Sequence, residues 1–343
     1  MAQKWKWYKS DIARVPKNGL KVFSTFSCGG GSSYGYKLAG YDLIGNCEID
    51  NKINAMYVKN HKPRFNYNMD IRDFNRVQNL PKELFELDIL DGSPPCSTFS
   101  MAGSREDAWG KEKHFREGQK KQTLDDLFFA FLDTVERLQP KVVVAENVDG
   151  MTRGKAKYYI TMVIREFQRI GYEVQIFRLN AMFMNVPQNR VRIFFIANRM
   201  RFPKLAINPN EKPILYGEIA SRNAKTINPK TQGYHLMKYY MIPSDRNIGD
   251  INERVKGKPS NFNTPIFRFN KVCPTITANA EAYREDICYV PDKDIISAST
   301  FPQDYDFNGN PVKYVCGMSV PPMMMEYIAG EIAKQWFKRG VNV

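Results

Sequence analysis

Histidine is scarce in this 343-residue chain, with three in all, and the six cysteines (Cys28, Cys47, Cys96, Cys273, Cys288 and Cys316) form no Cys-x-x-Cys pair. That pattern lacks the ligand spacings of structural zinc and the framework of a disulfide-stapled domain, so neither metal nor disulfide is expected. Long apolar runs are missing too. No stretch is long enough to span a bilayer, and residues 1–20 carry lysines and tryptophans without the apolar core of a signal peptide. A reducing, cytoplasmic setting is the expectation. Acid is in short supply: 36 Asp and Glu against 50 Lys and Arg leave a formal charge of +14. Such an excess points to a polyanionic partner, nucleic acid before membrane, because basic side chains facing phosphates release counterions. Charge alone also leaves room for a merely basic soluble protein.

Against these absences stands an ordinary globular composition, 43% hydrophobic, in a chain long enough for one large domain and one smaller. Strand-like runs at 22–26, 41–48, 87–90, 142–145, 174–179 and 193–197 alternate with helix-like ones. The fold class read from that alternation is α/β, a mainly parallel sheet with helices on both faces. Leu124, Leu127, Phe128, Phe131, Leu132 and Val135 recur at helical spacing and predict a helix over 122–138. After Asn198 the alternation stops, and a smaller domain is expected at 200–307, with 1–199 and 308–343 forming the larger one. The smaller segment holds Tyr234, Tyr239, Tyr240, Arg246, Arg254 and Lys256, side chains suited to phosphates and base edges. Residues 314–337 end in an amphipathic helix through Met325, Ile328, Ile332 and Trp336.

Chemistry concentrates where strand-like runs stop. The apolar run 87–90 ends at Asp91-Gly92-Ser93, and Pro94-Pro95 then turns the chain into Cys96, which places one thiol at the carboxyl edge of a sheet. By itself Cys96 reads equally as a buried cysteine packed as a small apolar group. Lys141 to Val148 is a β-branched run that reads as a buried parallel strand ending on Glu146, followed by Asn147. In 186–192, strand alternation would send Gln188, Arg190 and Arg192 to one face. Between Cys96 and the helix, residues 101–121 form a basic, glycine-bearing stretch expected to act as a lid over a polyanion. Gly29, Gly30 and Gly31 follow the first strand and let backbone approach a ligand at a helix start. They serve an adenosyl ligand, a nicotinamide cofactor or a plain tight turn alike. Glu48, ending the next strand, adds a carboxylate for ribose hydroxyls.

The order and content of these blocks resemble the DNA (cytosine-5)-methyltransferase family, of the bacterial or phage type. The resemblance is carried by Phe26-Ser27-Cys28-Gly29-Gly30-Gly31 with Gly35, Glu48-Ile49-Asp50, Asp70-Ile71, Pro95-Cys96, Glu146-Asn147-Val148, Gln188 with Arg190 and Arg192, Pro274-Thr275-Ile276-Thr277 and Gly317-Met318-Ser319-Val320-Pro321-Pro322. It implies a Rossmann-like, S-adenosylmethionine-dependent methyltransferase sheet plus a small target-recognition domain. Its cofactor residues would be Phe26, Ser27, Gly29, Gly30, Gly31, Glu48, Ile49, Asp70, Ile71, Pro95, Leu127, Ser319 and Val320. Cys96, Glu146, Arg190 and Arg192 would be catalytic, and Ser100, Asn147 and Gln188 would bind substrate. Two positions depart from the family pattern: Cys28 stands where glycine is usual, and Met318 where asparagine usually precedes Ser-Val-Pro-Pro.

What the resemblance implies chemically is a thiolate of Cys96 adding to carbon 6 of a flipped-out cytosine in double-stranded DNA while Glu146 serves ring nitrogen 3. A monomer suffices for that reaction. The interval between the arginine block and Pro274 is short, so a short recognition sequence is expected. Two other readings share the same text: a cytosine-5 methyltransferase acting on RNA, and a non-catalytic DNA-binding protein of the same fold.

Overall fold

The computed structural model describes residues 4–95, 127–152, 156–258, 264–278 and 281–338. The chain divides into two compact units, one of Ile12–Asn180, Val191–Asn208 and Met325–Val343, the other of Met1–Asp11, Ala181–Arg190 and Pro209–Met324.

The first unit is built on β1 (Lys21–Thr25), β2 (Asp42–Cys47), β3 (Phe65–Tyr67), β4 (Ile89–Gly92), β5 (Val142–Val148), β6 (Glu173–Asn180) and β7 (Val191–Asn198), in the order β3-β2-β1-β4-β5-β7-β6. The neighbours from β3 through β5 pair in parallel, and β7 alone is reversed, antiparallel to both β5 and β6. β3, a three-residue edge strand, is too short to stand out as a hydrophobic run in sequence. The β-branched run Val142-Val143-Val144 is fully buried, as expected of a central strand covered on both faces.

Alternation divides the strand side chains between two layers. Phe23, Leu90, Val143, Ala145, Ile193 and Phe195 join the main apolar cluster with residues of α3 (Ile71–Phe74), α4 (Leu127–Leu138) and α5 (Ala156–Arg169). The opposite face carries Ser24 and Asp91 toward α1 (Gly31–Leu38), whose Tyr36 hydroxyl reaches Asp91. Buried Tyr57 of α2 (Asn51–His61) bonds Ser33 of α1 at 2.8 Å. The last helix, Pro322–Trp336, docks beside this first βα unit, where Tyr41 donates to the carbonyl of Ala329 at 2.9 Å. Met325, Ile328, Ile332 and Trp336 are all buried, so the amphipathic pattern of that helix is its packing face.

The second unit holds α6 (Tyr216–Ile219), α7 (Gln232–Tyr240), α8 (Ile248–Lys256), α9 (Asp292–Ala298) and α10 (Val312–Met318), with a small sheet of β8 (Ile266–Phe267), β9 (Tyr283–Arg284) and β10 (Cys288–Tyr289). Ile227, Leu236, Met237, Ile248, Ile251 and Ile266 make its own apolar cluster beneath α7 and α8. The chain start belongs here as well: Trp7 donates its indole N–H to Thr300 O at 2.9 Å. Of the segment 200–307, this unit holds the part from Pro209 onward, together with Ala181–Arg190, whereas Val191–Asn208 belongs to the first unit. No helix among the described residues is long and apolar enough to cross a membrane.

Gly92, which ends β4, has no room for a side chain: a Cβ there would lie 2.5 Å from the Phe131 ring and 2.7 Å from Thr25 Oγ1. The expected cost of Gly92→Ala is about 1–3 kcal/mol of folding stability through overpacking, read as a lower urea midpoint at unchanged slope.

Candidate active site

The register of the central strands sets the geometry. β4 pairs with β5 up to Gly92 opposite Ala145, and then the chain turns away through Ser93, Pro94 and Pro95. β5 does not stop at Glu146 as its sequence suggested. It runs on to Val148 because β7 continues to pair with it antiparallel, with Glu146 opposite Phe194 and Val148 opposite Arg192. Glu146 therefore stands one residue beyond the end of its pairing with β4, at the carboxyl edge, where open α/β sheets place their chemistry. Arg192 lies diagonally across from it, and its Nε is 3.0 Å from Glu146 Oε1 with both side chains largely buried. Burial lowers the proton affinity of Arg192, and the facing Glu146 carboxylate opposes that shift. The guanidinium also donates to Val191 O at 2.8 Å. A planar, delocalised cation in a dry site holds a carboxylate in one orientation.

Asn147 ties this strand to the turn before the thiol. Its Nδ2 donates to the carbonyl of Pro94 at 3.1 Å, and its Oδ1 accepts from Val148 N at 2.9 Å. Pro94 lies two residues before Cys96. Cys96 and Ser100 fall outside the described residues, as do the basic stretch 101–121 and Leu124. Asp149, next along, receives Arg178 Nε of β6 at 2.7 Å.

The glycine turn follows β1 in the same unit, at the point where strand order reverses between β1 and β4. Phe26 (φ 50°) and Cys28 (φ 43°) both adopt the left-handed conformation that favours glycine, and Gly30 (φ 70°) adopts it too. Two non-glycine residues held there within three positions store strain, which persists where surrounding structure over-determines the turn. Glu48 supplies part of that constraint. Its Oε2 accepts from Cys28 N at 2.9 Å and its Oε1 from Asp50 N at 3.0 Å. Burial raises the pKa of Glu48 and these backbone donors oppose the rise. Ser27 Oγ accepts from Asn46 at 3.2 Å and Ser27 O from Gly30 N at 2.8 Å, while Gly31 opens α1. A Cβ on Gly30 would sit 2.1 Å from His61 Nε2, so this glycine serves close packing. Asn68 Nδ2 holds the carbonyls of Glu48 and Ile49. Asp70 caps α3 through Arg72 N at 2.8 Å, and Ile71 and Leu127 are buried in the main apolar cluster, against which Phe26 also packs. Pro95 is half-buried at the end of the described turn.

Gln188 and Arg190 do not share a strand face with Arg192. The strand begins only at Val191, since Pro187 cannot donate to a ladder, and both residues belong to the second unit. There Gln188 is fully buried, donating to Ala298 O at 3.2 Å and accepting from Ile276 N at 3.1 Å. Its amide is occupied by backbone and is not presented to a substrate. Arg190, 2% exposed, gives Nη1 to Ile276 O at 3.2 Å and Nη2 to Gly317 O and Ser319 O at 2.9 and 3.0 Å. It is a clamp on three carbonyls. Gly317 makes the approach possible, because a Cβ there would lie 2.6 Å from Ala278 N. Ser319 is buried with its hydroxyl donating to Val315 O at 2.7 Å, Val320 is buried beside it, and Met318 is exposed.

Comparison with known proteins gives this arrangement a family. The profile of C-5 cytosine-specific DNA methylases matches residues 20–334, nearly the whole chain and every block described above. The chain belongs to that family. A type II methyltransferase of Fusobacterium nucleatum is 34% identical over 183 residues, 52% of this chain and 47% of that protein, so the match spans about half of that relative's length. A type II methyltransferase of Haemophilus parahaemolyticus is 26% identical over 92% of this chain and 87% of its own. Among solved structures, a DNA modification methyltransferase encoded within an Escherichia coli prophage superposes with a TM-score of 0.65 at 18% identity, over 92% of this chain and 99% of that one. The α/β, Rossmann-like class expected from sequence is therefore the observed one.

In this member of the C-5 cytosine-specific DNA methylase family, Glu146, Asn147, Arg192, Glu48 and the glycine turn all belong to the first unit, while Gln188, Arg190, Ser319 and Val320 are buried in the second. Asp91 was not singled out by sequence reasoning, though a signal existed. An acid inside an otherwise apolar, fully buried strand breaks the expected run, and Asp91 is 2% exposed. Among the described residues no group of three or more His, Cys, Asp or Glu is placed to hold a metal ion. Replacing Arg190 by Met, which keeps apolar volume but frees three buried carbonyls, is expected to cost on the order of 3 kcal/mol in chemical unfolding. Faster amide exchange at Ser319 would accompany it, and an unchanged midpoint would refute the clamp.

Proposed function

We propose that this protein transfers a methyl group from S-adenosylmethionine to carbon 5 of a flipped-out cytosine in duplex DNA, through a covalent adduct with Cys96. The observation that carries the reading is the buried Arg192–Glu146 pair on β5 and β7, next to an Asn147 amide that grips the turn into Pro95-Cys96. An electron-poor ring needs a nucleophile on one carbon and a proton partner on its nitrogen, and this strand edge supports both.

The residues present fit the cofactor. Glu48 is a half-buried carboxylate just after β2 that spends part of its roughly four acceptor sites on Cys28 and Asp50 N–H groups, leaving capacity for a ribose hydroxyl. The turn over Ser27 to Gly31 opens α1 at the switch point of the sheet, where nucleoside ligands bind. When bound, S-adenosylmethionine supplies an electrophilic methyl group on a sulfonium.

Cytosine carbon 5 is a weak nucleophile while the ring is aromatic. Cys96 Sγ, as thiolate, forms a bond to carbon 6, and Glu146, in its protonated form or sharing a proton with the base, gives that proton to nitrogen 3, so the ring electrons move to carbon 5. Carbon 5 then takes the methyl group. Loss of its proton to a base and departure of Cys96 restore the ring. Arg192 holds Glu146 in orientation throughout, and Asn147 fixes the turn that presents the thiol. Arg190 and Gln188 act at a distance, as positioning residues for the backbone of Ile276 and Ser319. Turning the base out of the helix costs a few kcal/mol, which contacts to the rest of the DNA must offset.

Those contacts are assigned to the second unit, as the target-recognition part. Between 222 and 258, eight Lys and Arg stand against three Asp and Glu, a net +5. On α7 the Lys238 ammonium lies 5.4 and 5.5 Å from the Tyr234 and Tyr239 ring centroids, and Tyr239 and Tyr240 are exposed while Leu236 and Met237 point into the core. Cations beside exposed aromatic faces suit phosphates and unstacked bases.

Methylation of unmethylated bacterial or phage DNA, mapped as 5-methylcytosine by sequencing, is expected at one short motif and is expected to vanish in Cys96→Ser while S-adenosylmethionine binding survives. Methyl incorporation into folded RNA in place of DNA would transfer the reading to an RNA substrate, and cofactor binding without incorporation into either would leave a non-catalytic DNA-binding protein. Lys238→Ala is expected to weaken duplex binding uniformly and to lower the salt slope by about one. Tyr239→Ala should cost about 1–3 kcal/mol if its ring carries a base, and unchanged anisotropy titrations for both variants would remove α7 from the interface.

A further inference from the structure

Asp91 sits in β4 five residues before Cys96, on the sheet face turned toward α1. Its Oδ2 accepts from Ser24 Oγ of β1 at 2.8 Å, and its Oδ1 from the Tyr36 hydroxyl of α1 at 3.3 Å. The Ser32 side chain, in the first turn of α1, faces it as well and favours its charged form. Thr25 Oγ1 holds its backbone carbonyl at 3.0 Å. Every side-chain donor is a neutral hydroxyl, and among the described residues Asp91 forms no ion pair. A carboxylate with this burial and no countercharge is rare in a folded interior, since desolvation disfavours its charged form. The catalytic scheme above leaves it without a task.

What would favour that charge is a cation arriving nearby. The turn proposed to receive the cofactor, Ser27 to Gly31, runs directly into the helix turn that Asp91 bonds. The methyl donor and its demethylated product differ at one atom in charge: the donor's sulfur is a sulfonium, the product's a neutral thioether. We propose that Asp91 is a cofactor-discriminating residue, a buried anion under the first turn of α1 that favours the cationic methyl donor over the neutral product. This rests on the S-adenosylmethionine reading above. Because methyl transfer cancels the sulfonium charge, the same carboxylate stops holding the ligand once the reaction is done, which assists exchange of product for fresh donor.

Burial pushes the Asp91 carboxyl up to about 7, opposed by the Ser24 and Tyr36 hydrogen bonds and reinforced by the nearby Glu146 charge. The titratable groups facing it are Tyr36 on α1, Tyr57 on α2 and Glu146 on β5, and both tyrosines are held above their ordinary range by burial. Arg192 is committed to Glu146. A raised carboxyl is charged above its pKa, so the preference for the cation is present above about 7 and fades as pH falls below it.

The test is calorimetric binding of S-adenosylmethionine and S-adenosylhomocysteine to the full chain, on both sides of the Asp91 pKa. In Asp91→Asn the donor-to-product affinity ratio is expected to fall roughly fivefold to tenfold at alkaline pH, mostly through the donor, and to lose the part of its pH dependence that the wild type shows. Comparing proteins at each pH cancels ionisation of the ligands and of Glu48. Ser24→Ala is the second variant: it keeps the charge but removes a hydrogen bond that stabilises it, so the ratio should persist at high pH with its fall moved upward in pH. Equal loss of both ligands in Asp91→Asn would mean a purely structural role and overturn the proposal. So would a fall of the ratio with pH whose midpoint Ser24→Ala does not move. If the wild type binds neither ligand, the cofactor reading itself fails and takes this inference with it.

Discussion

A single side-chain hydrogen bond, from Asn147 Nδ2 to the carbonyl of Pro94, fixes where the turn into Cys96 leaves the sheet. Backbone pairing between β4 and β5 ends at Gly92 and Ala145, and beyond that point the two chains have no ladder to share. Glu146 sits on the strand that continues, and Pro94 and Pro95 on the one that departs. Without a bond across the gap, the proposed nucleophile and proton donor would be set by two independent backbones. Asn147 spans it, and Arg192 adds the second constraint by orienting Glu146 from β7. The reversal of β7 is what allows this. An antiparallel partner keeps β5 extended through Val148 and brings Arg192 diagonally opposite the carboxylate.

Much of this was legible in the sequence because burial in a parallel sheet leaves a strong mark. Val142 to Ala145, Ile193 to Ala197 and the Leu87 to Leu90 run read as strands, and the alternation of strands with helices gave the class. The helix at 127–138 followed from its apolar spacing, and so did the buried face of the last helix. What escaped was decided by partners distant in sequence. β3 is three residues long and is held by pairing with β2. Gln188 and Arg190 looked like strand residues by period, but Pro187 precedes them and their hydrogen bonds go to Ile276, Ala298, Gly317 and Ser319, between 86 and 129 residues away in sequence. Asp91 is the instructive miss, since the same apolar run that marked β4 contained it.

The electrostatics divide into two regimes. On the surface, excess Lys and Arg are hydrated, and each exposed pair such as Arg246–Asp250 contributes little, yet collectively they offer a field to a polyanion. In the interior the sign reverses. Glu48, Asp91 and Glu146 are acids in dry surroundings, each met differently: by backbone N–H groups, by hydroxyls and by a guanidinium. Burying a carboxylate is costly unless it is so satisfied. The three acids stand toward the carboxyl ends of β2, β4 and β5, on the side of the sheet where the proposed chemistry would sit.

The proposed covalent step has a direct test in the proton that must leave carbon 5 before Cys96 can depart. DNA carrying 5-fluorocytosine offers no such proton, and fluorine does not leave as a cation. Incubated with that DNA and S-adenosylmethionine, the protein is predicted to form a denaturation-resistant complex in which peptide mapping finds the base on Cys96 and the methyl group on the base. Absence of the complex, or a base attached to any other residue, under conditions where unmodified DNA is methylated, would contradict it.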